Sequence, residues 1–220
     1  MEYFITGIDT DIGKTFITKT IAYLKQKKGY TVGVFKPLQS GAVKKENKYL
    51  APDLEAVTSL SKNINTKCSY LFEGEVSPAL AAHLAGVNID IDKIKADFNE
   101  FSKINDITLV EGAGGILAPI TDSLLCADLI KLLNIPIIIV TVPFLGRLNH
   151  TLLTIYFAKS NNLNIKGIVI NKVPKYTNNL ASKNFISELT KYTDVPIIGT
   201  INDMGTNVNM QDLEEVEIII

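Results

Sequence analysis

The feature that most constrains this chain is its opening segment. A short apolar run, Tyr3–Thr6, ends at Gly7, and Gly7-Ile8-Asp9-Thr10-Asp11-Ile12-Gly13-Lys14-Thr15 leads into an amphipathic stretch from Lys14 to Lys28. Ile17, Ile21 and Leu24 recur in that stretch at helical spacing, and Gly29 ends it. Strand, glycine-bearing turn and helix in that order form the context that a phosphate-binding loop demands. Backbone N–H groups at the helix start point inward and, aided by the helix dipole, bind polyphosphate oxygens. Gly13 lets the backbone approach closely, Lys14 reaches the outer phosphates, and the Thr15 hydroxyl is a ligand for Mg²⁺. Gly13-Lys14-Thr15 is the tail of a Walker-A loop with one departure: Ile8 stands where the first glycine is usual, and Gly7 comes one residue earlier.

The rest of the chain alternates strand and helix patterns. Thr31–Phe35, Ile107–Val110, Pro136–Val142, Lys166–Ile170 and Pro196–Thr200 are short runs rich in Val and Ile without polar alternation. Such runs mark strands buried on both faces of a parallel sheet. Helical patterns lie near Ser123–Leu133, Asn149–Asn161 and Asn179–Tyr192. Between the second and third main strands, Asp53–Leu60, Ser77–Gly86 and Asp90–Phe101 read as inserted helices, and Lys44–Lys48 as a solvated loop. The expectation is one α/β domain over residues 1–220 with a doubly wound, mostly parallel sheet. With its loop, that is a P-loop NTPase-like three-layer sandwich. The closing stretch 215–220 alternates like a strand and is expected to pack on a sheet edge or to end the chain in order.

Composition removes other classes. Over 220 residues, 46% are hydrophobic and 20% charged, as in a soluble globular protein. A net charge of −1 leaves no footprint for nucleic acid or an anionic membrane. Cys68 and Cys126 stand apart without a C-x-x-C, and His83 and His150 are too few and too scattered for a histidine metal site. The longest apolar run, Ile135–Leu145, falls short of the roughly 20 residues that span a bilayer. Met1–Gly7 reads as a strand rather than a signal segment, so a cytoplasmic location is expected.

Three further positions carry candidate chemistry. Glu111 ends a buried strand and precedes Gly112-Ala113-Gly114-Gly115, where an acidic group near a nucleotide metal is needed. The alternative is a glycine-rich turn with Glu111 as a helix cap. Asp53 opens a helical stretch and is either a second metal carboxylate or an N-cap, and the pattern alone favours the cap. Lys36 follows the second strand. Strand-end lysines are usually solvated, but beside a phosphate loop a second ammonium can neutralise charge during phosphoryl transfer.

Four motifs occur in the order seen in dethiobiotin synthetases: Gly7 to Thr15, Lys36-Pro37-Leu38-Gln39-Ser40-Gly41, Glu111 to Gly115, and Leu145-Gly146-Arg147-Leu148-Asn149-His150-Thr151. The chain resembles that family from its first strand to about Thr200. The family's loop, G-T-D-T-x-x-G-K-T, accounts for the position of Gly7.

The resemblance implies ATP- and Mg²⁺-dependent ring closure in biotin biosynthesis, with 7,8-diaminononanoate and CO₂ (or bicarbonate) as substrates. One amine captures CO₂ as a carbamate, ATP phosphorylates it, and the second amine closes the ring. By the same resemblance, Lys14 and Lys36 flank the carbamate and γ-phosphate, Thr10 lies near the reacting amine, and Ser40 orients the diamine. Thr15, Asp53 and Glu111 hold Mg²⁺; Asp11, Ile12, Gly13 and Phe16, with Gly112, Ala113 and Gly114, contact the nucleotide; Asn171 contacts its base.

Gly146 to Asn149 opens a helix whose free N–H groups suit a carboxylate. In the family this turn holds the diamine's carboxylate across a homodimer interface. Arg147 either adds a charge-assisted hydrogen bond there or is an exposed arginine without a role.

The tail departs, with Gly199-Thr200-Ile201-Asn202-Asp203 where the family often reads G-x-I-P. Two rival classes are disfavoured. A cobyrinate-type amidotransferase synthetase needs a glutaminase part with a nucleophilic cysteine, and neither Cys68 nor Cys126 has that context. Partitioning and septum-positioning ATPases carry an early loop lysine, where this chain has Ile8, Asp9 and Thr10.

Overall fold

The computed structural model describes residues 1–46, 48–174, 179–204, 212–213 and 216–220. Its main sheet has seven strands: β1 (Glu2–Gly7), β2 (Val32–Gln39), β5 (Asn65–Leu71), β6 (Ile107–Glu111), β7 (Ile137–Thr141), β8 (Ile165–Val173) and β9 (Ile197–Asn202). They stand in the order β5-β2-β6-β1-β7-β8-β9, and every neighbouring pair is parallel. A separate antiparallel hairpin pairs β3 (Val43–Lys45) with β4 (Lys48–Leu50). The helices are α1 (Lys14–Lys27), α2 (Pro52–Thr58), α3 (Pro78–Leu84), α4 (Ile91–Ser102), α5 (Cys126–Leu133), α6 (Arg147–Ser160) and α7 (Leu180–Tyr192).

The side-chain period of two sorts β1 between two cores. Phe4 joins Phe98, Ile130, Ile155 and Leu189 beneath α4 to α7, whereas Ile5 joins Ile17, Ile21, Leu54 and Val57 beneath α1 and α2. Helices therefore cover both sheet faces, and the expected doubly wound three-layer sandwich is what the chain forms. Strand β1 pairs β6 on one side and β7 on the other. Successive crossovers diverge around it, which leaves a crevice at the carboxyl edge, where such sheets bind ligands. No helix among the described residues is long and apolar enough to cross a membrane.

Several expectations need correction. Lys36 does not follow β2 but lies within it, because the strand continues to Gln39. Pairing with β6 stops at Phe35, while β5 pairs Lys36, Leu38 and Gln39, so Pro37 removes no N–H from the β6 ladder. Strand β5 escaped notice because its Asn65-Thr66-Lys67 start is polar and its residues are at best half-buried at the sheet edge. The segment read as a solvated loop, Lys44–Lys48, lies within the exposed β3–β4 hairpin, which Tyr49 ties to the main body by donating to Glu73.

Helix α5 begins at Cys126 rather than Ser123. The N–H of Leu124 is taken by Thr121 Oγ1 at 3.0 Å, and Asp128 accepts from the Leu125 N–H at 2.9 Å as a cap. Helix α6 starts at Arg147, two residues before the expected Asn149. Of the closing stretch, Glu215 lies outside the described residues. Ile218 bridges Gly199 antiparallel, and the Ile219 N–H donates to Ile198 O at 2.9 Å, so this end packs on the β9 edge.

Candidate active site

A cleft of about 1060 Å³ opens over the carboxyl ends of β1, β2, β6, β8 and β9. Its floor begins with the Gly7–Thr15 loop. Gly13 caps α1 with φ 89°, in the left-handed region, and a Cβ there would sit 2.1 Å from Asn171 Nδ2. That amide donates to Ile12 O at 2.9 Å, so the β8 residue Asn171 clamps the loop from behind. Ile12 itself is core, while Asp11, Gly13 and Phe16 line the cleft.

Lys14 is buried, and its Nζ donates to Asp9 O at 2.9 Å. Burial first, and the neighbouring Lys36 ammonium second, hold its pKa below the usual lysine value; Glu111 and Asp53 oppose this.

Beside it lies a network of charge. Lys36 Nζ stands 2.5 Å from Asp53 Oδ2 and donates to Glu111 Oε1 at 2.9 Å and to Gly112 O at 3.3 Å. Burial pushes the Lys36 pKa down, but the Glu111 and Asp53 charges outweigh it, so the pKa is raised and the ammonium persists. Burial likewise works against the Asp53 carboxylate, yet Lys36 and the Thr15 hydroxyl hold its pKa below the ordinary value.

The Thr15 hydroxyl lies 2.9 Å from Asp53 Oδ1 and 2.8 Å from Glu111 Oε1. One hydroxyl hydrogen can serve only one of these acceptors at a time. Glu111 is 1% exposed, and its Oε2 has no hydrogen-bond partner among the described residues. Convergent hard oxygens with a buried carboxylate oxygen left over suit a Mg²⁺ ion that draws further ligands from water or phosphate. Among the described residues no group of three or more His, Cys, Asp or Glu is arranged as a metal site by itself.

The cap readings of Asp53 and Glu111 fail on geometry. Asp53 is not an N-cap: Ala51 occupies that position on α2, and Asp53 instead faces Thr15 and Lys36. Glu111 ends β6 and caps no helix.

Thr10 and Ser40 also line the cleft, with Gly112, Ala113 and Gly114 on its wall. The Ser40 Oγ is buried without a partner among the described residues. Asn202, Asp203 and Met204 bring the end of β9 to the same cleft.

Gly146, Arg147, Leu148 and Asn149 do not line it. Gly146 caps α6 with φ 83° on an exposed turn, and the adjacent Leu145 is 84% exposed. Arg147 is not idle: its Nη1 donates to Asp9 Oδ2 at 2.7 Å and lies 3.1 Å from His150 Nδ1. Asp9 is the polar partner that sequence reasoning missed. Its neighbours Thr10 and Lys14 were legible, but a contact spanning 138 positions leaves no local signal.

A family model described as an AAA domain matches residues 1–211. The ATP-dependent dethiobiotin synthetase BioD of Anoxybacillus flavithermus is 40% identical over 213 residues, covering 96% of this chain and 95% of that protein. The protein of the same name from Clostridium novyi is 35% identical over 97% of this chain and 92% of its own length. Among solved structures, the Pyrococcus horikoshii septum site-determining protein MinD complexed with Mg-ADP aligns with TM-score 0.60 at 18% identity, covering 92% of this chain and 82% of that one. A ParA family ATPase from Chlorobium tepidum aligns with TM-score 0.60 at 14% identity, over 98% and 90% of the two chains. At such identities the structural likeness speaks for the fold alone, and it agrees with the P-loop sandwich described above. The sequence relatives are specific where the structural ones are not, and on them the chain belongs to the ATP-dependent dethiobiotin synthetase family.

Proposed function

We propose that this enzyme closes the ureido ring of dethiobiotin from 7,8-diaminononanoate, CO₂ and ATP, through a carbamate and a mixed carbamic–phosphoric anhydride. The observation that carries the reading is the meeting of Lys14, Lys36, Thr15, Asp53 and Glu111 on the floor of one cleft, with the Ser40 hydroxyl, which has no partner among the described residues, lining the same cleft. A carbamate is a weak nucleophile and must approach a polyanion. Cations that hold both anions in place supply most of what such a transfer needs.

In this reading one amine adds to CO₂ to give a carbamate. A carbamate oxygen attacks the γ-phosphorus and ADP departs; the second amine then attacks the carbonyl carbon and phosphate leaves. Lys14 serves the γ-phosphate, and Lys36, now resting on Asp53 and Glu111, serves the carbamate side. Thr10 lies by the reacting amine, and Ser40 orients the diamine through its free hydroxyl. Asp11, Gly13 and Phe16, with Gly112 to Gly114, border the nucleotide, and Ile12 supports them from the core. Asn171, whose amide nitrogen holds the loop, also lines the cleft where the base would lie. Thr15, Asp53 and Glu111 would hold Mg²⁺, which supplies charge neutralisation at the phosphates when bound.

The assembly in this reading is a two-fold dimer, each copy lending its Gly146–Asn149 turn to the diamine's carboxylate in the other. The exposed Leu145, Leu153 and Tyr156 at the start and along one side of α6 support an apolar contact there. The test is incubation with labelled bicarbonate, ATP, Mg²⁺ and diaminononanoate. Label in dethiobiotin, dependent on every component, is expected; ATP cleavage that ignores the diamine would refute the reading.

A further inference from the structure

The phosphate loop needs an outside constraint. Asp11 holds φ 56° and Gly13 φ 89°, so a non-glycine residue in the left-handed region stands close to a second left-handed turn. Such backbone persists only where surrounding contacts fix it.

Asp9 gathers those contacts. Its Oδ1 accepts the Thr10 N–H at 2.8 Å, its Oδ2 accepts Arg147 Nη1 at 2.7 Å, and its carbonyl accepts Lys14 Nζ at 2.9 Å. Arg147 is in turn tied to the sheet. Its carbonyl accepts the Thr151 hydroxyl at 2.6 Å, and Thr151 lies 2.7 Å from Thr141 Oγ1 at the end of β7, both threonines being buried. A continuous line of polar contacts runs from β7 through Thr151, Arg147 and Asp9 to Thr10 and Lys14.

The geometry points to Asp9 as a positioning residue that, braced by Arg147, holds the phosphate loop so that Thr10 and Lys14 face the reacting groups. This deepens the proposed function and rests on its assignment of Thr10 and Lys14. It also gives Arg147 a duty other than contact with substrate. The pair is partly solvated, so its worth to stability is small. Its worth to catalysis is larger, because small misplacements of reacting groups are costly.

A double-mutant cycle tests the pair. Asp9→Asn keeps an acceptor for the Thr10 N–H while losing the ion pair, and Arg147→Met keeps the stem while losing the charge. Each single variant should lower kcat about tenfold with little change in melting temperature, and Arg147→Lys should recover part of the loss. The double variant should fall no more than about twofold below the worse single variant, the mark of one shared interaction. Multiplied losses, single variants with wild-type kcat, or losses that follow a drop in melting temperature would overturn the assignment. The same cycle on ATP affinity by calorimetry stays informative if the wild type makes no dethiobiotin: coupled losses uphold the pair, and independent or absent losses reject it. Inactivity of the wild type would count against the proposed function alone.

Discussion

Lys36→Met removes the cation from between Asp53 and Glu111 while keeping an unbranched stem of similar length. Two carboxylates that both approach the Thr15 hydroxyl within 2.9 Å then face each other without Lys36. Removing one partner of a buried ion pair typically costs about 3–5 kcal/mol. Asp53 keeps 26% of its side-chain exposure, so solvent screens part of this and about 2–4 kcal/mol is expected. At this chain length that is a fall in melting temperature of very roughly 5–15 °C.

The pH dependence gives the argument a sign. In the wild type, Asp53 has a lowered pKa, so its contribution is present above about 4, the unfolded value, and is lost as pH falls through the folded one. Lys36 has a raised pKa, so its contribution is present below about 10.4 and is lost as pH rises through the folded value. The pair is therefore intact across the neutral range. In the variant the Asp53 carboxylate loses its cation, and protonation relieves it. The stability gap to wild type should be widest near neutrality and narrow toward pH 5.

Mg²⁺ should stabilise the variant more than the wild type, because it supplies the missing positive charge. Thermal melts from pH 5 to 8, with and without Mg²⁺, measure all of this. A variant that melts like wild type, or a gap that does not vary with pH, would refute the reasoning.

Lys14→Ala should weaken ATP binding and depress turnover on the order of a hundredfold, measured by calorimetry and steady-state kinetics. Lys36→Met should instead lower turnover more than ATP affinity, and an affinity lost as severely as in Lys14→Ala would contradict its place on the carbamate side. Asp53→Asn and Glu111→Gln should raise the Mg²⁺ concentration needed for half-maximal activity while leaving circular dichroism unchanged; unaltered Mg²⁺ titrations for both would remove them from the metal site. Gly146→Leu should raise KM for diaminononanoate with ATP binding nearly normal, since the residue holds φ 83° on an exposed turn away from the cleft; an unchanged KM would dismiss the turn as a carboxylate site.

What could be read in advance followed from how locally each feature is encoded. The phosphate loop and the buried strands were legible because glycine placement and unbroken Val and Ile runs carry their own signal. Strand β5 was not, since an edge strand starting Asn65-Thr66-Lys67 lacks the apolar run of a central one. The run Thr31–Phe35 stops short of the true end of β2, because pairing with β6 ends at Phe35 while pairing with β5 carries the strand on to Gln39, which depends on its neighbours rather than on its own residues. Asp53 was ambiguous because a carboxylate in a first helical turn looks the same whether it faces its own backbone or Lys36 across the cleft. The Asp9–Arg147 pair depends on β1 and β7 being sheet neighbours, a fact of topology that no short window of sequence holds.

The proposed chemistry makes one demand that simple ATP hydrolysis does not share: an oxygen of CO₂ must end on the released phosphate. In the carbamate route that oxygen attacks the γ-phosphorus, and ring closure then breaks its bond to carbon. The direct measurement is mass spectrometry of inorganic phosphate and dethiobiotin after a rapid reaction started with ¹⁸O-labelled CO₂, before exchange with water. The account predicts one labelled oxygen in the phosphate and one in the ureido carbonyl. Unlabelled phosphate formed alongside labelled dethiobiotin would contradict it.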